Sequence, residues 1–464
     1  MSAPVHGSSG PHAAGGEALA HSLKPRHVAM ISIGGIIGAG IFVGSSSAIA
    51  IAGPGVLLTY AMCGTLVFVI MRMLGEMAMA RPGVGSFTGY AALGLGPWAG
   101  FTTAWLYYYF WVITIAVEAI AGANMLTPFI PLPMWVLAAA LIGAMTLVNL
   151  FSVKTYGEFE FWFASLKVVM IVGFMALGLA FIFGFGPGLA NVSASFARGG
   201  GAFPLGVGAI FTAIPVVIFS MMGSEVATIA AVETEDPARN IVRAARTVTL
   251  RIMFFYIGSL SVIMAILPWN DVVAGQSPFV AALSIIKVPG AQALIGAVIF
   301  TAIVSCLNSA IYVCSRMLFE MGGRGDAPAA FARVSTRRVP TLGIVLSSLA
   351  GFAVVLTSVF SPDGVFTFLL QSSGATILSV YLLISLSQIA LRRRLEAQGE
   401  RLEVKVWAFP LVSYAAVAGI IAVLVMMALM PDQRLQVALS LSVFAACIVA
   451  HFLRGARGRR VATA

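Results

Sequence analysis

Ile31-Ser32-Ile33-Gly34-Gly35-Ile36-Ile37-Gly38-Ala39-Gly40-Ile41-Phe42-Val43-Gly44 lies in an apolar run long enough to cross a bilayer, yet it sets four glycines within seven residues. Each glycine in a helix interior costs about 1 kcal/mol relative to alanine. Lipid offers no partner to an unpaired backbone N–H or C=O. Two arrangements answer both constraints. Either the helix packs closely on a neighbour through its small residues, or it is interrupted around a ligand. In the second case, backbone donors at the start of the next half face an anion such as a carboxylate.

The chain around this stretch has 464 residues, 60% hydrophobic and 9% charged, with a mean hydropathy of +0.99. Apolar windows of the roughly 20 residues needed for a span recur from residue 28 to residue 453. This is the composition of a polytopic α-helical membrane protein. The spans read as 28–52, 56–80, 98–126, 132–150, 158–184, 206–232, 245–267, 290–319, 341–360, 365–391, 407–430 and 434–453. The net charge of +10 does not signal a nucleic-acid partner, because the basic residues sit in short loops on one side. Lys24, Arg26, Lys154, Arg239, Arg324, Arg392, Arg393, Arg394, Lys405 and Arg454 lie there, against Arg198, Lys287 and Arg434 opposite. The positive-inside rule then puts both termini in the cytoplasm. Residues 1–27 lack an apolar stretch and read as a disordered tail. Cys63, Cys306, Cys314 and Cys447 all fall in apolar segments without a C-x-x-C pair, so neither a disulfide nor a metal site is inferred, and no cofactor is expected.

The sixth span carries a second interruption, Phe219-Ser220-Met221-Met222-Gly223-Ser224-Glu225. It comes five spans after the first and enters from the opposite side. Interrupted helices in corresponding positions of two five-helix halves are the pattern of an inverted-repeat transporter. Arg81–Phe87 has the turn chemistry of a loop, Glu233–Asn240 is either an inner gate or a solvated loop, and residues 276–288 suit a short outer helix.

Ionisable groups inside spans are functional-site candidates. Arg72 and Glu76, four apart on one face, read as a structural ion pair. Glu118 lies about 12 Å from the outer end of its span, and Lys167 about 15 Å from the inner end of its own. Glu118 is either held neutral or faces the substrate cavity. Lys167 is either a proton carrier or a fixed cation bonded to carbonyls. Glu225 either accepts a substrate ammonium or caps freed N–H groups. Trp105 to Trp111 crowd the third span with aromatic rings, and Ser305, Asn308 and Ser309 suit a polar pathway or helix packing. No H-E-x-x-H or G-x-S-x-G set speaks for an enzyme, and the short termini speak against a membrane sensor.

Gly35-Ile36-Ile37-Gly38-Ala39-Gly40-Ile41-Phe42, Gly75-Glu76-Met77, Gly85-Ser86-Phe87 and Phe219…Gly223-Ser224-Glu225…Glu233 resemble the amino acid transporter branch of the amino acid–polyamine–organocation superfamily. The resemblance spans about residues 22–450. Within the branch the chain is most similar to the bacterial γ-aminobutyrate permeases. That likeness rests on Leu23–Val28, Phe42–Ser46, Ser152-Val153-Lys154-Thr155-Tyr156-Gly157-Glu158-Phe159-Glu160-Phe161-Trp162, Cys306–Ala310 and Arg324–Pro328. Branch members for α-amino acids often carry threonine at the place of Ala39, and the γ-aminobutyrate permeases serine at the place of Gly40.

The resemblance implies a LeuT-like fold: two inverted five-helix repeats, then two C-terminal helices. It implies proton-coupled uptake across the bacterial inner membrane, with γ-aminobutyrate the expected substrate and proline or another neutral α-amino acid the alternative. It puts the substrate carboxylate near Ile37, Gly38, Ala39 and Gly40, and the ammonium near carbonyls around Phe219 and Ser220, with Phe219 as an aromatic gate. Met222, Gly223, Glu225 and Glu118 complete the expected site. Lys167 corresponds to a lysine that fills the place of sodium. The expected division is a tail (1–27), a ten-helix core (28–391), a loop with two further helices (392–453) and a basic tail (454–464).

Overall fold

The computed structural model describes residues 36–84, 86–151, 153–184, 200–226, 237–360 and 364–461, without the side chains of 153–157, 237–238, 243–252, 360 and 455–461. The N-terminal tail, residues 462–464, Gly34, Gly35, Arg198 and the acids Glu233, Glu235 and Asp236 therefore lie outside the described residues, while the rest of the expected C-terminal tail, 454–461, continues the last helix. All regular structure among the described residues is helical. A π-helical turn, Gly40–Gly44, leads into α1 (Ser45–Ala52), and a 3-10 turn at Gly53–Gly55 leads into α2 (Val56–Ala80). Then follow α3 (Phe87–Leu95), α4 (Pro97–Leu126), α5 (Met134–Asn149), α6 (Val153–Ile182), α7 (Gly208–Thr212), α8 (Ile214–Ser220) and α9 (Pro237–Ile266). The remainder is α10 (Pro278–Ile286), α11 (Ala291–Gly323), α12 (Thr341–Val355), α13 (Thr357–Phe360), α14 (Val365–Ala397), α15 (Leu411–Leu429) and α16 (Arg434–Val461).

Eight helical stretches among the described residues are long and apolar enough to span a membrane, and Met134–Asn149 and Met253–Ile266 are shorter apolar helices. The chain is a multi-pass membrane protein. Burial separates its centre from its rim. The apolar windows of α4 and α14 are 78% and 83% buried, those of α15 and α16 only 28% and 17%. The first pair forms the middle of the bundle, and the last two helices leave apolar faces for lipid. Helices α2 and α9 pack together, as do α4 and α11, while α8 packs on both α14 and the Gly40–Gly44 turn.

Two local differences from the sequence reading are informative. The segment after α2 is not all loop: Ser86 leads into α3, whose Phe87, Thr88, Tyr90 and Ala91 are buried. The turn residues before it were legible, the buried face behind them was not. A short helix, α10, does form within 276–288.

The expected Arg72–Glu76 ion pair does not form. Glu76 instead accepts hydrogen bonds from Arg392 Nη1 at 2.9 Å, Gln388 Nε2 at 2.7 Å and the Val406 N–H at 2.5 Å. Arg72 donates through Nε and Nη2 to the Lys405 carbonyl at 3.0 and 2.9 Å. An acid placed C-terminal to its base is the weaker orientation on a helix, and three converging donors from α14 and the following loop outbid it. Nearby, Arg81 forms a two-pronged bridge to Glu400, both distances 2.7 Å. This bond holds the exposed Glu400 carboxyl below its ordinary range and raises Arg81. On the same face Glu320 accepts from Ser86 at 2.6 Å and Thr88 at 2.9 Å and pairs with Arg324 at 3.0 Å.

Candidate substrate site between two interrupted helices

Close packing and interruption occur together at the first glycine cluster. Helical geometry stops after Ile36, bends through Ile37 and Gly38, and resumes at Ala39. A Cβ added at Gly38 would lie 2.6 Å from Glu118 Oε1 and 2.7 Å from Cys306 Sγ. One added at Gly40 would lie 2.7 Å from Ser220 Cα. Glycine is thus required for approach, and at Gly40 the obstacle is backbone, which cannot rotate away. This chain's departure from serine at position 40 has a steric counterpart.

The freed donor after the bend has a partner from within the protein. The Ala39 N–H donates to Oε1 and Oε2 of Glu118 at 3.1 and 2.9 Å. Sequence reasoning assigned such a donor to a substrate carboxylate; here a carboxylate from α4 occupies it.

The second interruption follows α8. Met221–Glu225 form a turn in which Gly223 has φ +115°, a conformation that side-chained residues rarely adopt. Glu225 accepts from Tyr107 Oη at 2.9 Å, the Gly223 N–H at 3.2 Å and Tyr381 Oη at 3.4 Å. These bonds brace the turn from within and tie it to α4 and α14, while the helix that Glu225 was expected to cap continues past Val226, outside the described residues.

Between the breaks lies a cavity of about 10 Å³, lined by Gly40, Phe219, Ser220, Met222 and Glu118 together with Ile36, Phe110, Trp111, Thr114 and Cys306. It has room for about one water. Gly38 and Ala39 touch Glu118 beside it, whereas Ile37, Gly223, Glu225 and Lys167 are not part of its wall. Of the aromatic run in α4, Phe110 and Trp111 face the cavity and Tyr107 holds Glu225. Met222 lines the cavity and Met221 does not.

Three residues escaped the sequence reading. Tyr256 Oη lies within hydrogen-bonding distance of the Ile36 and Ser220 carbonyls, the last acceptors before each interruption. Tyr60 Oη lies 3.2 Å from Ser220 Oγ. Neither tyrosine carried a signal, since single phenols in apolar spans are ordinary. Glu160 did carry one. It sits seven residues before Lys167 on one face of α6, and its Oε1 is 3.8 Å from Lys167 Nζ with both side chains almost fully buried. Ser305 Oγ lies 2.8 and 2.9 Å from the two Glu160 oxygens. Asn308, in contrast, ties α11 to α5 by accepting from Asn149 Nδ2 at 2.7 Å. The site thus offers carbonyl and carboxylate acceptors at one end, backbone N–H groups beside them, aromatic and thioether walls, and a buried Glu160–Lys167 pair one helix away.

The family described as "Amino acid permease" matches residues 27–461. A γ-aminobutyric acid permease of Bacillus subtilis is 47% identical over 90% of this chain and 89% of its own length. A probable GABA permease of Pseudomonas aeruginosa is 45% identical over 93% and 92%. An aromatic amino acid transport protein of Corynebacterium glutamicum is 37% identical over 88% and 90%.

Proposed function

Because the chain belongs to the amino acid permease family, a family of transporters, we propose that it is a proton-coupled importer of γ-aminobutyrate in the bacterial inner membrane. The fold proposed with it is twelve spans with cytoplasmic termini, ten of them (28–391) an inverted 5+5 repeat of LeuT type. Two further helices follow in 392–453, between tails at 1–27 and 454–464. The observation that carries the reading is the apposition of two interrupted helices at Gly40 and Ser220 around a cavity bounded by Glu118. Names of the relatives above direct the substrate choice.

In this mechanism the ammonium takes the carbonyls of Ile36 and Ser220, displacing the Tyr256 proton. The methylenes lie along Phe219, Phe110 and Met222. The carboxylate competes with Glu118 for the N–H of Ala39 and its neighbours at Gly38 and Gly40. Two carboxylates at one donor repel unless a proton is taken up, so arrival of substrate and arrival of a proton favour each other. Lys167, paired with Glu160, carries the proton between the two faces as the halves rearrange. Glu225 and Gly223 hold the second turn in shape.

Uptake of radiolabelled γ-aminobutyrate into proteoliposomes under an imposed pH gradient, with a panel of unlabelled competitors, tests the proposal. γ-Aminobutyrate and close ω-amino acids should compete best. Stronger competition by proline or phenylalanine would move the substrate to α-amino acids, and accumulation indifferent to the pH gradient would remove the proton.

A further inference from the structure

A much larger cavity, about 750 Å³, lies away from the substrate site between α2, α7, the start of α8 and α15. Its walls are almost wholly apolar; Leu58, Val69, Phe211, Val423 and Met426 are representative. Along α2 it runs from Leu58 to Val69, about 16 Å at 1.5 Å per residue. Its side on α15 includes Gly419, where an added Cβ would meet nothing within 4 Å.

One end of this groove is basic. Arg72 follows Val69 by one turn on the same face of α2. Its guanidinium lies 5.9 Å from the centre of the exposed Trp407 ring, which leans on Phe68. Nε and Nη2 bond to the Lys405 carbonyl, and among the described residues Arg72 has no carboxylate partner. The acids that would neutralise it are engaged elsewhere: Glu76 and Glu396 with Arg392, and Glu400 with Arg81. Lys405 is exposed on the same loop, and Arg393 is exposed beside Tyr414, 5.6 Å from its ring centre. Glu403, exposed two residues before Lys405, leaves this end net positive.

We infer that the groove binds an anionic phospholipid, with an acyl chain between α2 and α15 and the phosphate held by Arg72, Lys405 and Arg393. An apolar trough with a cationic group at one end matches an amphiphile with a single acidic end. A partner membrane helix would present polar groups at both ends, and free phosphate would make no use of the trough. In the topology proposed above the basic end faces the cytoplasmic leaflet, the leaflet whose anionic lipids attract such groups. Only the choice of leaflet rests on that topology.

Native mass spectrometry of the full-length protein, titrated with dioleoyl-phosphatidylglycerol or dioleoyl-phosphatidylcholine, reads lipid retention directly and independently of transport. Phosphatidylglycerol should be retained in preference to phosphatidylcholine. Lys405→Gln and Arg393→Gln should each weaken its retention about fivefold, the effect of one basic side chain at a membrane surface. Gly419→Leu should fill the trough and reduce retention while leaving the protein monodisperse. Glycerol phosphate should not compete. Equal retention of the two lipids, unchanged retention in the charge variants or in Gly419→Leu, or displacement by glycerol phosphate would each overturn the inference.

Discussion

The Tyr256 hydroxyl stands 2.6 Å from the carbonyl of Ser220 and 3.0 Å from that of Ile36. A phenol has one proton to give, so two helix ends that face each other across the cavity depend on a single donor. Its ring packs 5.8 Å from that of Tyr60, which fixes where the hydroxyl points. An ammonium brings three donors to the same acceptors.

Tyr256→Phe keeps the ring and removes the donor, and should lower unfolding stability by about 1–3 kcal/mol. If the ammonium binds these carbonyls, γ-aminobutyrate should stabilise the variant against heat more than it stabilises the wild type. Equal shifts would place the ammonium elsewhere.

At Gly38 a valine meets Glu118 and Cys306 at once. Gly38→Val should abolish the thermal stabilisation given by γ-aminobutyrate while the purified protein stays monodisperse. Retained binding would mean the bend serves packing alone.

The Glu160–Lys167 pair is buried on both sides. Removing one partner of such a pair costs about 3–5 kcal/mol, because the other charge is left uncompensated. Lys167→Met and Glu160→Gln should each destabilise, and the double variant should cost less than the sum. Lys167→Met should also lose accumulation driven by a pH gradient. Wild-type accumulation in that variant would transfer the coupling role to Glu118.

Pairing separates two similar arginines. Arg392→Gln strips Glu76 of its cation and should cost about 3–5 kcal/mol. Arg72→Gln should cost no more than about 1 kcal/mol, in the range of exposed charge contacts. Chemical unfolding of both variants decides this, and the reverse ranking would reinstate Arg72 as the partner of Glu76.

The Arg81–Glu400 bridge carries a pH signature. Glu400 has its carboxyl lowered by Arg81 from the ordinary 4.5, so the bridge contributes stability above that value and loses it as pH falls through the lowered one. Glu400→Gln should melt below the wild type at neutral pH, and the gap should close in acid and in high salt. A gap that persists in acid would assign the effect to packing.

Both interruptions were legible because glycine is conspicuous in an apolar span, where it costs helix stability and gains nothing by hydration. Glu118 and Lys167 stood out for the analogous reason: a charge in lipid needs an explanation. What the sequence concealed were partners. Arg392 lies 316 residues from Glu76, and no local rule weighs it against Arg72 four residues away. Tyr256 was hidden because a tyrosine in an apolar span carries no excess cost. Glu160 was hidden only by its neighbours, since its spacing from Lys167 already places the two on one side of a helix.

The small volume between the breaks has a consequence for how ligands are discriminated. A chamber of about 10 Å³ cannot admit an amino acid without parting the helices around it, so part of every ligand's binding energy goes into separating them. Measured affinity then understates the strength of the contacts. Molecules slightly larger than the substrate should bind yet hold the helices too far apart to complete the cycle. Such compounds would act as competitive blockers that are not themselves carried.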